Sequence, residues 1–261
     1  MKHDTMPKCY KGDSKPHYFC PGCGHAIILK LLGTVIDEMK LQNNTVFGID
    51  IGCSLLAWDF FDISTIQTHH GRCVPVMVGV KKASPKKLAI AYMGDGGGYA
   101  IGLQSLVHAC YRNEPILCLV VNNTNYAMTG GQMAPTTFPG EITSTTTSGK
   151  PKTGFGERFL GPETLVVSAD KNAFIERVSL SNPRKVAFSL KKAIEAANGG
   201  NFSFLEILSI CPTNWKTNAH DSFEFLKKIE SYFPQKQLSP VPSLRHCEES
   251  STWQSDKKGA V

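Results

Sequence analysis

Long apolar runs are missing from this sequence of 261 residues. No stretch of about 18 uninterrupted apolar residues occurs, so the sequence predicts no membrane span. The opening Met1-Lys2-His3-Asp4 also lacks the apolar stretch of a secretory signal. We therefore expect a cytoplasmic, reducing location, where the nine cysteines need another explanation than disulfide bonds.

Signals for binding nucleic acids or nucleotides are missing as well. The formal net charge is only +6 and no basic run is interleaved with aromatic residues, so we predict no nucleic-acid partner. The Gly-Lys-Ser/Thr triplet of a Walker loop does not occur. The dinucleotide fingerprint G-x-G-x-x-G fails too, because a motif starting at Gly94 meets Tyr99 where it needs glycine.

The sequence does have the alternating strands and helices of an α/β protein. Buried strands are predicted at residues 45–51, 88–92, 115–121, 174–180 and 202–210. Helices are predicted at residues 26–39, 73–82, 99–112, 183–197 and 222–232. We predict one open, mostly parallel sheet flanked by helices in residues 1–220, then a short helix and an extended C-terminal tail in residues 221–261.

A glycine turn carries the strongest chemical signal. The strand at 88–92 leads into Gly94-Asp95-Gly96, and the next strand ends at Asn122-Asn123. Ends of parallel strands share one edge of a sheet, where ligands bind. Oxygens of Asp95, Asn123 and the Asn125 backbone suit Mg²⁺, and glycines let backbone N–H groups approach a diphosphate. The alternative is a tight turn with Asp95 as a helix cap.

The Gly-, Thr- and Pro-rich stretch at 124–161 follows these ligands directly and shows no periodicity. A loop of this length in a compact domain is usually functional. We predict that it folds over the site.

Four cysteines form a second constellation. Cys20 and Cys23 make a C-x-x-C pair, while Cys53 and Cys211 each end a predicted strand. Four thiolates at one sheet edge would suit a [4Fe–4S] cluster. Spacing alone leaves two alternatives open, namely a structural zinc site that includes His25 and a redox dithiol at Cys20 and Cys23.

Together, these motifs resemble one family of thiamine enzymes. The Gly-Asp-Gly…Asn-Asn arrangement is similar to the thiamine diphosphate motif. Further stretches match in order over residues 17–217: Cys20-Pro21-Gly22-Cys23-Gly24-His25, Gly52-Cys53-Ser54, His70-Gly71-Arg72, and Thr129-Gly130-Gly131-Gln132 with Pro135-Thr136-Thr137. They resemble the β subunit of 2-oxoacid:ferredoxin oxidoreductases, in the four-subunit 2-oxoisovalerate or 2-oxoglutarate type.

The resemblance implies roles for individual residues. It implies a [4Fe–4S] cluster on Cys20, Cys23, Cys53 and Cys211, and Mg²⁺ on Asp95, Asn123 and the Asn125 carbonyl. It implies that His70 is catalytic through proton transfer. It also implies a thiamine diphosphate site formed by Ile51, Gly52, Cys53, Ser54, His70, Asp95, Gly96, Gly97, Asn123, Ala127 and Met128.

The implied reaction is the coenzyme A-dependent oxidative decarboxylation of a 2-oxoacid to acyl-CoA and CO₂. Electrons would pass through the cluster to ferredoxin or flavodoxin, with further clusters on small subunits or domains. An α subunit would supply the glutamate that faces the aminopyrimidine ring. Two alternatives stay open: a non-oxidative thiamine diphosphate decarboxylase or carboligase subunit with structural zinc, and a zinc-stabilised binding module without catalysis.

The sequence departs from the family pattern at two places. Many relatives carry a second acidic residue after Gly96, where this chain has Gly97. Some carry a lysine shortly after the Cys-Ser pair, where this chain has Leu55-Leu56-Ala57. The first change leaves the metal ligands in place. The second removes a substrate contact, so the sequence leaves the identity of the 2-oxoacid open.

Overall fold

The computed structural model of the chain describes residues 6–12, 17–152 and 161–238. The strands are β1 (Thr45–Ile49), β2 (Ser64–Gln67), β3 (Leu88–Gly94), β4 (Leu117–Asn122), β5 (Asn125–Tyr126), β6 (Gln132–Met133), β7 (Phe174–Ser179), β8 (Ser203–Leu208) and β9 (Lys236–Gln237). The α-helices are α1 (Gly24–Glu38), α2 (Cys73–Ala83), α3 (Leu103–Tyr111), α4 (Glu163–Val166), α5 (Pro183–Asn198), α6 (Pro212–Trp215) and α7 (Ala219–Tyr232).

Seven strands form one sheet in the order β2-β1-β3-β4-β8-β7-β9. All neighbours are parallel except β9, which runs antiparallel to β7. The predicted open, mostly parallel sheet is therefore confirmed. The chain leaves β1 towards β2 and leaves β3 towards β4, in opposite directions along the sheet. A crevice for a ligand opens between two such strand ends.

Both faces of the sheet are covered by helices. Along β3, Leu88, Ile90 and Tyr92 pack with α1, α5 and α7, whereas the alternating alanines and Met93 pack with α2 and α3. Successive side chains of a strand point to opposite faces, so a strand with two covered faces is apolar throughout. This explains why the sequence shows β3 and β4 as continuous apolar runs.

Local signals set several element ends. Helix α5 begins at Pro183, and the Asn182 side chain accepts a hydrogen bond from the Lys185 amide at 3.1 Å. The helix predicted at 99–112 differs from the structure, because a π-helical turn (Gly97–Ile101) precedes α3. The Gly102 amide donates to the Gly97 carbonyl at 2.9 Å, five residues back, which widens the turn beside the crevice.

Strand β2 was not predicted from the sequence. It lies at the sheet edge with none of its four residues buried, so it has no apolar run. Helix α7 packs Leu226 and Ile229 into the same core as α1 and α5. The predicted division at residue 220 stays a prediction, and the predicted tail beyond residue 238 lies outside the described residues. Within the described ranges, no helix is long and apolar enough to span a membrane.

Candidate active site

A pocket of about 100 Å³ opens at the carboxyl edge of the sheet, in the crevice between β1 and β3. It is lined by His25, Ile51, Gly52, Cys53, His70, Gly94, Asp95, Gly96, Gly97, Asn123, Asn125, Tyr126, Ala127, Met128 and Thr129. The ends of β1, β3 and β4 thus contribute side chains to one small space, as parallel topology predicts.

Asp95 lies at the end of β3 and is almost fully buried. Its carboxylate accepts hydrogen bonds from the Gly96 amide at 3.0 Å and from the Thr136 hydroxyl. Burial nevertheless raises the pKa of Asp95 to about 7. Among the described residues, none of the strongest influences on this pKa is a basic side chain. A buried carboxylate in such surroundings is a good ligand for a cation, which favours its charged form.

Amide side chains follow the end of β4. The Asn123 Oδ1 accepts only a long hydrogen bond, 3.3 Å, from the Asn125 amide. The side-chain Oδ1 and Nδ2 of Asn125 are both buried, with no hydrogen-bond partner within the described structure. Buried polar atoms are nearly always paired, so this amide indicates a missing ligand. With the Asp95 carboxylate, these oxygens form the hard donor set that Mg²⁺ requires.

Asn122 has a structural part in this turn. It donates to Glu206 at 2.9 Å and accepts from the Thr124 amide at 3.1 Å. Thr124 has a positive φ of 62°, which is rare for a β-branched residue. Such a conformation costs about 1–3 kcal/mol and needs surrounding contacts to hold it. The Thr137 hydroxyl, which donates to the Thr124 carbonyl at 2.5 Å, is one of them.

The loop after β4 covers the site, as far as the described residues show. Thr136 and Thr137 bring the loop back onto the Asp95 and Thr124 region. Helix α6 closes the same region, because Trp215 Nε1 donates to the Asn123 carbonyl at 3.0 Å and Asn214 Nδ2 to the Ala127 carbonyl at 2.7 Å. Residues 153–160 of the predicted loop lie outside the described residues.

Two glycines are sterically required in the turn after β3. A Cβ on Gly96 would lie 2.1 Å from the Tyr126 ring, and a Cβ on Gly97 would lie 2.0 Å from Asp50 Oδ2. Both distances are far shorter than real Cβ contacts. The turn therefore presents bare backbone to the pocket at the start of a helical segment, an arrangement that suits an anion such as a diphosphate.

His70 enters the pocket from the loop after β2. Its Nδ1 lies 3.0 Å from Oδ2 of Asp50, which directly follows β1 and is fully buried. The other carboxylate oxygen accepts the Gly71 amide at 2.7 Å. Burial raises the pKa of Asp50, and the contacts with His70 and Gly71 oppose this rise. The pocket therefore contains a histidine on a buried carboxylate.

His25 lines the pocket from the first turn of α1. Its Nδ1 lies 2.6 Å from the Tyr92 hydroxyl, and both side chains are buried. Burial lowers the pKa of His25 to about 4, so the ring is neutral near pH 7. Zinc could bind His25 through either ring nitrogen, and the Tyr92 contact already occupies Nδ1.

The four cysteines of the second constellation gather beside the pocket. Cys20 is exposed, Cys23 precedes α1, Cys53 begins a 3₁₀ turn and Cys211 precedes α6. Burial raises the pKa of Cys23 to about 11, and negative charge on Cys211 and Cys20 adds to the rise. Burial likewise raises the pKa of Cys53 to about 12, with Cys23, Cys211 and Cys20 adding to it. The four thiols are therefore near enough for their charges to influence one another.

The donor atoms of this cysteine group fit a [4Fe–4S] centre, which takes four cysteine thiolates. Positive charge on the irons would favour the thiolate form of the cysteines and so offset the rise in their pKa values. The thiol protons would be released when the centre binds. Among the described residues, no group of three or more His, Cys, Asp or Glu side chains already has the spacing of a metal site. The thiols are thus grouped without forming a finished ligand set.

Comparison with known proteins identifies the family. The family model described as "Thiamine pyrophosphate enzyme, C-terminal TPP binding domain" matches residues 50–207. The chain belongs to the thiamine pyrophosphate enzymes. The match begins at Asp50 and ends inside β8, so it includes the ends of β1, β3 and β4 that form the pocket.

Curated relatives of the chain narrow the family further. Ketoisovalerate oxidoreductase subunit VorA of Methanothermobacter thermautotrophicus is 39% identical over 241 residues, 90% of this chain and 50% of that protein. 2-Oxoglutarate synthase subunit KorB of Archaeoglobus fulgidus is 33% identical over 213 residues, 82% of this chain and 76% of that protein. The predicted relationship to 2-oxoacid:ferredoxin oxidoreductase subunits is confirmed.

A solved structure agrees with these relatives. It is the 2-oxoglutarate:ferredoxin oxidoreductase from Magnetococcus marinus with 2-oxoglutarate, coenzyme A and succinyl-CoA bound. The TM-score is 0.74 at 28% identity, over 87% of this chain and 74% of that chain. The chain spans about half the length of the first two curated relatives it matches.

The structure brings most of the residues predicted for the cofactor and magnesium sites to one pocket. Ser54 is the exception, because it is buried and its hydroxyl donates to the Asp50 carbonyl at 2.9 Å. Asn125 lines the pocket, and the atoms that lack partners belong to its side chain, whereas the sequence analysis assigned its backbone carbonyl. Of the four cysteines, Cys53 lines the pocket, whereas Cys20, Cys23 and Cys211 do not.

Sequence reasoning missed several residues of this site. Asp50 had a weak signal, since it is an acidic residue within the otherwise apolar strand predicted at 45–51. Tyr126 had no signal, and Thr136 had only its place in the matching stretch Pro135-Thr136-Thr137. Their roles depend on contacts with Gly96 and Asp95, which are 30 and 41 residues distant in sequence.

Proposed function

We propose that this chain is the thiamine-diphosphate-binding β subunit of a 2-oxoacid:ferredoxin oxidoreductase, an enzyme that converts a 2-oxoacid and coenzyme A to acyl-CoA and CO₂. The observation that carries the proposal is the buried Asp95 carboxylate in one pocket with the unpartnered Asn125 amide. The reaction class comes from the relatives named above, which are subunits of such oxidoreductases.

Asp95, Asn123 and Asn125 would hold Mg²⁺, and the metal would hold the diphosphate. Backbone groups at Gly96 and Gly97 face the same space without side chains. Ile51, Gly52, Ala127 and Met128 line the rest of the pocket and would contact the cofactor. Ser54 would act indirectly, through its hydrogen bond to the Asp50 carbonyl.

When bound, thiamine diphosphate supplies an electron sink for the loss of CO₂, and an iron-sulfur cluster accepts the electrons released. His70 would move a proton at the substrate, because its ring lines the pocket. Cys53 belongs both to the pocket wall and to the group of four thiols. A cluster on Cys20, Cys23, Cys53 and Cys211 would therefore lie directly beside the cofactor.

The pocket itself favours a partner subunit. Cofactor sites usually enclose about 300–1,000 Å³, several times the roughly 100 Å³ found here. No glutamate of the described residues lines the pocket, although activation of the aminopyrimidine ring needs one. An α subunit would supply both the missing wall and this glutamate.

The remaining partners follow from the reaction. Electrons would leave through small subunits or domains with further clusters to ferredoxin or flavodoxin. The 2-oxoacid and coenzyme A are the substrates, and the structural neighbour was solved with 2-oxoglutarate and coenzyme A bound. We propose a cytoplasmic location, supported by the eight described cysteines, all of them free thiols.

A two-part experiment tests the function. The chain reconstituted with iron, sulfide, Mg²⁺ and thiamine diphosphate should show broad visible absorption that bleaches with dithionite. Co-expressed with its partner subunits, it should reduce a viologen dye only when coenzyme A and a 2-oxoacid are both present. A panel of branched-chain 2-oxoacids, 2-oxoglutarate and pyruvate then identifies the substrate.

Three outcomes would contradict parts of the proposal. A colourless, zinc-loaded protein that still binds thiamine diphosphate would support the non-oxidative alternative. A zinc protein without cofactor binding would support a binding module. Turnover by the isolated chain would refute the need for a partner glutamate.

A further inference from the structure

Asp50 is a buried acidic residue next to the pocket, and it is not a ligand in either the proposed metal site or the proposed cluster site. It is fully buried at the end of β1. Both carboxylate oxygens have defined partners, Oδ1 with the Gly71 amide at 2.7 Å and Oδ2 with His70 Nδ1 at 3.0 Å. Within the described residues, His70 is the only basic side chain that forms an ion pair with it.

These contacts determine the hydrogen-bonding role of each His70 nitrogen. A carboxylate only accepts hydrogen bonds, so Nδ1 of His70 must carry a hydrogen to bond Asp50. In the neutral ring the second nitrogen, Nε2, is then an acceptor. The Nδ1 edge lies against a buried group while 29% of the His70 side chain is exposed, so Nε2 is the nitrogen available to the pocket.

Gly97 gives an independent observation for the same pair. A Cβ at this position would lie 2.0 Å from Asp50 Oδ2 and 3.6 Å from His70 Cε1. The Asp50 carboxylate thus fills the volume into which any side chain at position 97 would project. Bare backbone in the glycine turn is therefore a condition for the contact between Asp50 and His70.

We propose that Asp50 is a positioning residue that holds His70 in the Nδ1–H tautomer with Nε2 directed to the substrate. When Nε2 accepts a proton from a group in the pocket, the Nδ1–H bond to Asp50 persists and the carboxylate stabilises the charged ring. The same proton returns from Nε2 in the reverse transfer. The role in turnover rests on the proposed function, whereas the tautomer does not.

The tautomer is tested directly by nitrogen NMR of the ¹⁵N-histidine-labelled chain. The His70 signals are assigned by their loss in His70→Gln among the eight histidines. We expect a protonated Nδ1 in the native chain. In Asp50→Asn the amide nitrogen faces Nδ1 and donates to it, so the hydrogen should move to Nε2. An Nε2–H form in the native chain, or no change in Asp50→Asn, would overturn the proposal.

Kinetics of the assembled enzyme test the consequence for turnover. Asp50→Asn should lower kcat by about 100-fold, at the low end of general acid–base effects, with the KM for the 2-oxoacid little changed. The double variant Asp50→Asn, His70→Gln should be no slower than His70→Gln alone, because Asp50 acts through His70. Additive losses would show a separate structural role and overturn the proposal.

Two further variants keep these tests interpretable. Asp37→Asn makes the same chemical change at a carboxylate that holds the Cys9 amide at 3.1 Å, outside the pocket, and should leave both readouts unchanged. If Asp50→Asn fails to fold, Gly97→Ala takes its place in the NMR test. The added methyl group should displace the Asp50 carboxylate while Asp50 and His70 both stay unchanged, so the His70 tautomer should shift. Since the NMR readout needs no turnover, an inactive native complex would count against the proposed function alone.

Discussion

The pocket and the cysteine group next to it are built differently. On the oxygen side, Thr136 and the Gly96 amide hold Asp95, and Asn122 and Thr137 hold the turn at Thr124. On the sulfur side, four thiols are neighbours without the spacing of a metal site among the described residues. The proposed oxygen ligands are thus preorganised by the polypeptide, whereas the proposed sulfur ligands would need a metal centre to fix them.

The largest difference between the two sides should appear when one thiol is removed, as loss of iron without loss of cofactor binding. Cys211→Ser should abolish the visible absorption of the reconstituted chain and most of its bound iron, because a [4Fe–4S] cluster needs all four thiolates. Binding of Mg²⁺ and thiamine diphosphate should persist, since the substitution removes none of their proposed ligands. Cys118→Ala is the matched control, because it removes a buried thiol from the core of β4. Unchanged iron content in Cys211→Ser would remove this cysteine from the ligand set.

The next effect should come from the oxygen side. Asp95→Ala should weaken Mg²⁺-dependent binding of thiamine diphosphate by roughly 100-fold or more, since even indirect supports of a metal site are worth about 10–100-fold. The iron content should stay the same. Calorimetric titration measures the affinity. Binding equal to that of the native chain would refute Asp95 as a ligand.

The stability of the metal-free chain should depend on pH through Asp95 on the oxygen side. The pKa of Asp95 rises from 3.8 to about 7 in the fold, so ionisation favours the unfolded state. The free energy of unfolding should therefore fall as the pH increases from about 4 to about 7. The affinity for Mg²⁺ should increase about tenfold per pH unit below about pH 6 and level off as the pH passes about 7.

Thermal melts and Mg²⁺ titrations from acidic to neutral pH measure both trends. Asp95→Asn is the control, because it keeps the shape of the side chain and removes its titration. The difference in unfolding free energy between the native chain and this variant should therefore change with pH. A difference that is independent of pH would show that Asp95 titrates normally.

The smallest effect should come from a support of the oxygen side. Thr136→Val removes the hydroxyl that donates to Asp95 and should weaken Mg²⁺ binding by about tenfold. Thr45→Val makes the same change at a buried threonine whose hydroxyl donates to the Leu41 carbonyl at 2.8 Å, away from the pocket. Equal effects of the two substitutions would mean that the Thr136 hydroxyl contributes only to general stability.

The sequence predicts features whose signal is local. Strands β3 and β4 are apolar throughout because both faces are covered, and Asp95 and Asn123 follow their ends directly. Parallel topology then places these side chains at one edge. Strand β2 has no such signal, because it lies half exposed at the sheet edge and gains its structure from pairing with β1.

Features that arise only when distant segments meet were not predicted. The contact between Asp50 and His70 joins β1 to the loop after β2, and Gly97 from a third segment leaves room for it. The π-helical turn at 97–101 was likewise missed, since an apolar helical pattern does not distinguish a widened first turn from a regular one. Tertiary contacts decide both features.

The hydrogen bonds of helix α6 connect the two sides of the site mechanically. Cys211 immediately precedes this helix, and its Asn214 and Trp215 bond the Ala127 and Asn123 carbonyls of the opposite wall. If a metal centre at Cys211 moved this helix, the Asn123 turn would move with it through these hydrogen bonds. Linkage would make such a coupling reciprocal, so that bound cluster and bound cofactor would change each other's affinity by the same factor.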